Sequence, residues 1–133
     1  YKNLVLNYKL HGAAVRRLLE FSWSKRGTDG FSQVSGVRIH SATSGALTSI
    51  RIVTDPKVED LSGSKMVELD DKVIYLVATS VFQAQVADGY RDIFAAEGEP
   101  EPLNWTVNDT MLAHFAREST GVTGGLDGRI PGR

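Results

Sequence analysis

The sequence contains no cysteine among its 133 residues. Disulfides, thiolate metal ligands and cysteine nucleophiles are therefore excluded. Long hydrophobic runs are also missing, because no apolar stretch reaches the roughly 18 residues that a helix needs to cross a bilayer. The chain does not open with a charged and then apolar leader, so we expect a soluble protein whose export signal is absent or already removed.

Composition predicts one ordinary globular domain. The chain is 41% hydrophobic and 23% charged, which suits a single domain of this length. The net charge of −1 hides an asymmetry, because residues 1–51 carry eight basic against two acidic side chains and residues 52–133 carry seven against fourteen. This asymmetry either places a basic surface on one side of the molecule or lets the two halves pair with each other.

The longest apolar stretch, VIYLVATSVFQAQV at 73–86, is the centre of the predicted fold. Its side chains alternate at the start, and Val, Ile and Thr are poor helix formers, so we predict a strand with both faces covered. A buried helix is the alternative, because the length suits one. One side of the strand carries Ile74, Leu76, Ala78, Ser80 and Phe82, and the other carries Val73, Tyr75, Val77, Thr79 and Val81.

An N-terminal β-hairpin is predicted at the start of the chain. Residues 2–10 alternate as a half-buried strand, and His11 and Gly12 supply a turn. Residues 14–25 resume the alternation, although VRRLLEF within them could be helical. The ending FSWS favours a second strand.

Three further strands are predicted at 31–34, 36–43 and 48–54. In the last two, polar side chains fall on alternate positions. Because side chains two residues apart share a face, antiparallel pairing brings these side chains together. The resulting polar set is Arg38, His40, Ser49 and Arg51.

The second half of the chain is predicted to hold a polar loop and two helices. Residues 55–71 are broken by proline and glycine, with a strand extension at 65–68. Asp88 is a candidate N-cap for a helix at 89–97, and a second helix fits 106–117. The apolar stripe of the second helix is Val107, Met111, His114 and Phe115.

The element order predicts an α+β fold: an N-terminal β-hairpin plus an antiparallel sheet of about six strands, followed by two C-terminal helices. Two short helices leave one face of such a sheet bare, which predicts a partner. Residues 1–118 form the predicted domain. Residues 119–133, with five glycines, form a Gly-rich C-terminal tail that alone would be disordered.

Patterns for catalysis or metal binding are weak. His11, His40 and His114 lie far apart and form no HxH, HExxH or triad order, so neither a metal site nor a triad is expected. GVTGGLDG is not followed by GK[ST], so no P-loop is predicted. Glu68 and its acidic neighbours at 70–71 could act as paired acids only inside a pocket. No cofactor is predicted.

The polar sheet face is the main candidate for binding. Arginine offers charge-assisted bonds to phosphate, and Tyr75 offers a ring on which an unpaired base can stack. The alternative is an ordinary solvated sheet surface with one or two cross-strand arginines. If the central strand is a neighbour, the candidate RNA-binding residues are Arg38, His40, Ser49, Arg51, Tyr75 and Thr79.

The segments TSIRIVTDPKV and KVIYLVATSVFQAQ, with the order of elements around them, resemble the coat protein of single-stranded RNA bacteriophages, the levivirus-type group. The resemblance implies a non-enzymatic capsid protein that forms an intertwined homodimer and self-assembles into an icosahedral shell. Assembly would take place in the host bacterial cytoplasm. The inner sheet face of the virion would bind genomic RNA, including a translational-operator hairpin.

By position, Ser49 and Arg51 match the RNA-facing pair of that family, and Tyr75 matches its base-stacking tyrosine. Arg38 and His40 match through the pattern of the preceding strand. The resemblance therefore implies that these side chains contact RNA.

Two positions depart from the pattern of the coat proteins. Val53 and Val77 stand where polar side chains are common, which favours generic RNA contact over recognition of one hairpin. The loop at 57–70 would correspond to the one that lines the symmetry axes of the shell.

Two other functions stay open. The first is a small cellular dimeric α+β module that binds a ligand or acts as a chaperone, with a pocket lined by Phe21, Trp23 and Tyr75. Copurifying RNA would distinguish a coat protein from such a module. The second is an enzyme with a cone-shaped α+β fold, in which Asp88 or His40 supplies the acid or base.

Overall fold

A computed structural model describes residues 3–54 and 65–117 of the chain. These residues form two compact units. The first unit consists of 3–21 and 71–117, and the second consists of 22–54 and 65–70.

The fold is α+β, with six strands in two antiparallel three-stranded sheets and four helices in the part of the chain just given. The strands are β1 (Leu4–His11), β2 (Val37–Ser41), β3 (Leu47–Val53), β4 (Met66–Glu68), β5 (Ile74–Ser80) and β6 (Glu101–Thr106). The helices are α1 (Gly12–Ser24), α2 (Val81–Gln85), α3 (Tyr90–Ala95) and α4 (Val107–Arg117). The predicted α+β class and the number of about six strands are confirmed.

The sheet of the first unit has the order β5-β1-β6, with β1 in the middle. Leu6, Tyr8 and Leu10 on one side of β1 are buried, as the alternation of the sequence predicts. The ring of Phe94 in α3 lies 4.7 Å from the ring of Tyr8, which attaches α3 to this buried side.

The sheet of the second unit has the order β2-β3-β4. Val37, Ile39 and Ile50 are buried on its apolar side. The indole N–H of Trp23, near the end of α1, donates a 2.8 Å hydrogen bond to the carbonyl of Gly45 in the β2–β3 turn. The Arg26 guanidinium lies 4.3 Å from the centroid of the same indole ring. These contacts fix the turn to the end of the helix.

The predicted N-terminal β-hairpin is wrong, because residues after β1 form the helix α1. The buried side chains of α1 recur at intervals of three and four residues, which is the period of a helix. They are Ala14, Val15, Leu18, Leu19, Ser22 and Trp23. The alternation of FSWS that favoured a strand is too short to compete with this longer pattern.

The predicted strand at 73–86 is correct only for its first half. β5 ends at Ser80, whose side chain accepts the backbone N–H of Gln83 and caps α2. A serine side chain that accepts this N–H satisfies one of the unpaired donors of a helix start. The two interpretations of the stretch, strand and helix, therefore each describe one part of it.

Smaller predictions have mixed outcomes. Residues 31–34 are not a strand, and α3 is capped by Gly89 instead of Asp88. The strand extension at 65–68 is confirmed as β4, and the second predicted helix as α4. β6 was not predicted, because Pro100 and Pro102 indicate only that a helix is excluded before Leu103. Proline is tolerated in β6 because this strand lies at the edge of its sheet.

The sheet itself differs from the prediction in one respect. The strands form two sheets and not one sheet of six, because β5 pairs with β1 and not with β3.

The intertwined dimer is not shown by the structure of a single chain. The tail at 119–133 and the loop residues 57–64 lie outside the described residues, so the boundary after residue 118 stays a prediction. None of the helices in the described part has the length and apolar character that crossing a membrane requires.

Candidate ligand-binding face

Four of the six predicted binding residues lie on one face of the β2-β3-β4 sheet. Arg38 lies directly opposite Arg51, and His40 lies directly opposite Ser49. Residues opposite each other on antiparallel strands point to the same side of the sheet. We call these four residues together with Glu68 the polar strand face.

Glu68 was missed by the sequence analysis as a member of this face. It pairs with Arg51 across β3 and β4, and its Oε1 lies 3.6 Å from the Nε of Arg51. The hydroxyl of Ser49 lies 2.9 and 3.0 Å from the two Glu68 carboxylate oxygens and donates to this carboxylate. The alternation of the predicted strand extension could have placed Glu68 here, because it is the acidic residue of that short segment.

The Glu68 carboxylate changes the electrostatics of the polar strand face. Arg51 also donates from Nη2 to the carbonyl of Met66 at 3.0 Å. Both Arg51 and Ser49 therefore have partners within the sheet. Two guanidinium groups and one carboxylate leave a net positive charge on the face when His40 is neutral.

Tyr75 and Thr79 do not lie on the polar strand face. Both belong to β5 in the other sheet, where they stand opposite Leu10 and Leu6 of β1. They are half-buried on the same side as these two core leucines. The prediction that all six residues lie on one sheet face is wrong, because it assumed that the central strand neighbours β3.

The aromatic residues of the predicted pocket pack against other parts of the chain. Phe21 makes an edge-on contact with Tyr90, with ring centroids 4.8 Å apart. Trp23 is buried and is held by the hydrogen bond to Gly45. Both rings therefore contribute to packing within their own units.

A half-buried carboxylate lies just after α3. Glu97 has a side chain only 11% exposed, and its Oε2 accepts the backbone N–H of His11 at 3.0 Å. The Nδ1 of His11 lies 3.0 Å from the same oxygen, and Nη2 of Arg17 lies 3.5 Å from Oε1. The hydrogen bond from the His11 backbone is the main cause that lowers the pKa of Glu97. This arrangement fixes the loop after α3 to the junction of β1 and α1.

The histidines are dispersed in the structure as they are in the sequence. His11 contacts Glu97, His40 lies on the polar strand face, and His114 lies on α4 with its ring 6.0 Å from that of Phe115. Among residues 3–54 and 65–117, no group of three or more His, Asp or Glu side chains is arranged to hold a metal ion.

Comparison with known proteins decides the family. The family model described as "5'-nucleotidase, C-terminal domain" matches residues 1–96. The chain belongs to this family. Comparison with curated protein sequences gives no match.

Two solved structures share the fold of this 5'-nucleotidase C-terminal domain. The 5'-nucleotidase precursor from Thermus thermophilus matches 96% of the chain with a TM-score of 0.70 and 21% identity, and the match covers 25% of that protein. The Haemophilus influenzae NAD nucleotidase matches 72% of the chain with a TM-score of 0.53 and 23% identity, and the match covers 17% of that protein. The chain thus spans a quarter or less of the length of each.

The resemblance to levivirus-type coat proteins is therefore wrong. The family match over residues 1–96 includes both segments that suggested it. Alternating apolar and basic positions are common to many antiparallel sheets, so they do not identify one family. The predictions of a capsid protein, an icosahedral shell, a genomic RNA partner and a location in the virion are wrong with it.

The non-enzymatic interpretation is also wrong, because the family and both solved structures are named for nucleotidases, which are enzymes. The sequence analysis also left open a small cellular α+β module, and this alternative agrees better with the family. Whether the polar strand face binds a ligand stays a prediction.

Proposed function

We propose that this chain works as the C-terminal domain of a nucleotide-hydrolysing enzyme and helps to hold the nucleotide substrate. The observation that carries the proposal is the family match over residues 1–96. The two solved proteins are named as a 5'-nucleotidase and an NAD nucleotidase, and both names refer to nucleotides. We therefore assign a nucleoside 5'-phosphate as the substrate class.

We assign the phosphate contact to the polar strand face. Its two arginines stand on neighbouring strands directly opposite each other. A guanidinium group binds phosphate through two parallel, charge-assisted hydrogen bonds. Glu68 balances one of the two arginine charges and holds Arg51 in position. Arg38, on the adjacent strand, is the side chain we assign to the phosphate.

The test is a titration of the isotope-labelled chain with adenosine 5'-monophosphate and, separately, with adenosine, followed by NMR. We expect the nucleotide to shift the backbone amide signals of β2 and β3 more than the nucleoside does, because only the nucleotide carries phosphate. Higher salt should weaken the effect, since exposed charges are screened within about 8 Å at physiological ionic strength. Amide signals in β2 and β3 that do not respond to the nucleotide would contradict the assigned face.

The pairing of two copies stays a prediction from the sequence. Sizing chromatography of the purified chain at several concentrations tests it. A mass of one chain at every concentration would contradict a dimer, and it would leave the proposed nucleotide contact unaffected.

A further inference from the structure

Three charged residues of the polar strand face form one row across the three strands of its sheet. Arg38 of β2 lies directly opposite Arg51 of β3, and Arg51 lies directly opposite Glu68 of β4. Neighbouring strands are about 4.8 Å apart, so the charges along this row follow one another closely. Their order is cation, cation and anion. We call Arg38, Arg51 and Glu68 the charged row.

Glu68, at the end of the charged row, is directed toward β3 by two contacts. Its Oε1 lies 3.6 Å from Nε of Arg51, and the hydroxyl of Ser49 donates to its carboxylate at 2.9 and 3.0 Å. Ser49 and Arg51 are two residues apart and therefore lie on the same side of β3. The hydroxyl thus holds the carboxylate beside the guanidinium group.

Arg51, in the middle of the charged row, uses two of its nitrogen atoms within the sheet. Its Nη2 donates to the carbonyl of Met66 at 3.0 Å, and its Nε faces the Glu68 carboxylate. A guanidinium group binds phosphate most strongly when two of its N–H groups donate in parallel. Because Nε and Nη2 are both directed to β4, this edge of the guanidinium is engaged within the sheet.

The order of the charged row has a different effect on one phosphate group than on two. A single phosphate at Arg38 stays two strands away from Glu68. A second phosphate group that extends along the row reaches Arg51 as its next cation, and there it competes with the carboxylate. Like charges that come close also repel each other. The carboxylate therefore opposes the second phosphate group far more than the first.

We infer that Glu68 is a specificity-determining residue that keeps Arg51 from binding a second phosphate group. The residue acts through Arg51 and contributes no contact of its own to the ligand. Its effect is to favour ligands with one phosphate group over ligands with two on the polar strand face. The inference rests on the proposed function, because it assumes that Arg38 binds the phosphate of a nucleotide.

The test compares the 133-residue chain with its Glu68→Gln variant. The Glu68 side chain is 65% exposed, so the change removes a charge without disturbing the core. Glu101→Gln is the matched control, because it removes one carboxylate from an exposed position on β6 of the other sheet. Isothermal titration calorimetry at neutral pH and constant ionic strength measures the affinities for adenosine 5'-monophosphate, adenosine 5'-diphosphate, inorganic phosphate and pyrophosphate.

We expect Glu68→Gln to raise the affinity for the diphosphate at least about fivefold and that for the monophosphate less than about twofold, because the lost charge lies nearer to the second phosphate group. Pyrophosphate and inorganic phosphate should show the same contrast. Glu101→Gln should leave the ratio of the two affinities unchanged. A wild-type ratio in the Glu68 variant, or an equal change of the ratio in both variants, would overturn the inference.

The part played by Arg51 is tested by the same change in an Arg51→Gln background. The gain in affinity for the diphosphate should fall there to about twofold or less, since the guanidinium that Glu68→Gln releases is absent and only repulsion by the carboxylate is relieved. A gain that persists in full would overturn the inference, because Glu68 would then act without Arg51.

Failure of the proposed function gives a different result. If the expected contrast between pyrophosphate and phosphate is found but adenosine 5'-monophosphate binds no more tightly than phosphate, the proposed nucleotide contact alone is contradicted. If the monophosphate binds more tightly than phosphate and Glu68→Gln leaves every ratio unchanged, the inference alone is contradicted. A chain that binds none of the four ligands contradicts both.

Discussion

The ring of Phe21 fills the space into which a side chain at Gly89 would project. A Cβ atom at position 89 would overlap the ring of Phe21, far inside van der Waals contact. Gly89 also has a φ of 80°, a backbone conformation that residues other than glycine rarely adopt. Since Gly89 caps α3 and Tyr90 packs edge-on against Phe21, the glycine allows the close approach of α3 to α1.

Replacement of this glycine should therefore destabilise the fold through two effects. We expect Gly89→Ala to lower the free energy of unfolding by about 2–4 kcal/mol, because backbone strain and a clash with Phe21 act together. Gly36→Ala is the control, since Gly36 has a φ of 76° but nothing within 4 Å of the added Cβ. The Gly36 variant should lose only about 1 kcal/mol of unfolding free energy. Denaturant unfolding measures both, and equal losses would show that the Phe21 contact has no energetic role.

The hydrogen bond between Trp23 and Gly45 gives a second prediction. Trp23→Phe removes the indole donor and leaves the carbonyl of Gly45 without it, which should cost about 1–3 kcal/mol of unfolding free energy. Trp105→Phe is the matched control, because Trp105 is 50% exposed on β6, and its loss should be below about 0.5 kcal/mol. Thermal unfolding of both variants tests this. A control that loses as much stability as Trp23→Phe would contradict the assigned role of the bond.

The Glu97 carboxylate predicts a dependence of stability on pH. Its pKa is lowered in the folded chain from the ordinary value of 4.5, mainly by the hydrogen bond from the His11 backbone. A lowered pKa contributes stability that is fully present above 4.5 and is lost as the pH falls through the folded-state pKa. The wild-type chain should therefore lose stability on acidification below this value, and Glu97→Gln should lose less.

The control for this prediction is Glu20→Gln, since Glu20 is exposed on α1. Urea unfolding at a series of pH values compares the three proteins. The Glu20 variant should follow the wild-type profile. If the stability of Glu97→Gln depended on pH in the same way as that of the wild type, the contacts of Glu97 with His11 and Arg17 would contribute nothing to the acid sensitivity.

Local patterns in the sequence predicted the elements that carry a clear period. Strands β2 and β3 and helix α4 were predicted because apolar positions recur at intervals of two or of three to four. The placement of Arg38, His40, Ser49 and Arg51 on one face followed from alternation and one short turn. The structure adds the register, in which Arg38 lies opposite Arg51 and His40 opposite Ser49. Local periodicity was thus sufficient for the four residues that β2 and β3 supply to the polar strand face, but not for Glu68 of β4.

Pairing between distant segments was not predictable in the same way. β5 takes β1 as its neighbour although the two strands lie far apart in the chain, and nothing local in VIYLVATS indicates that partner. Tyr75 and Thr79 were assigned to the wrong sheet for this reason. The same error made a coat protein plausible, because the order of strands looks similar in many antiparallel folds, while the family was decided by comparison over residues 1–96.

The most direct test of the central claim is the affinity of the chain for adenosine 5'-monophosphate after a single arginine is neutralised. Arg38→Gln should weaken binding about tenfold, because a charge-assisted contact with phosphate is lost. Arg91→Gln, which removes an exposed arginine of α3 that pairs with Asp92, should leave the affinity unchanged. Equal affinities of the wild type and the Arg38 variant would contradict the claim that the polar strand face holds the phosphate of a nucleotide.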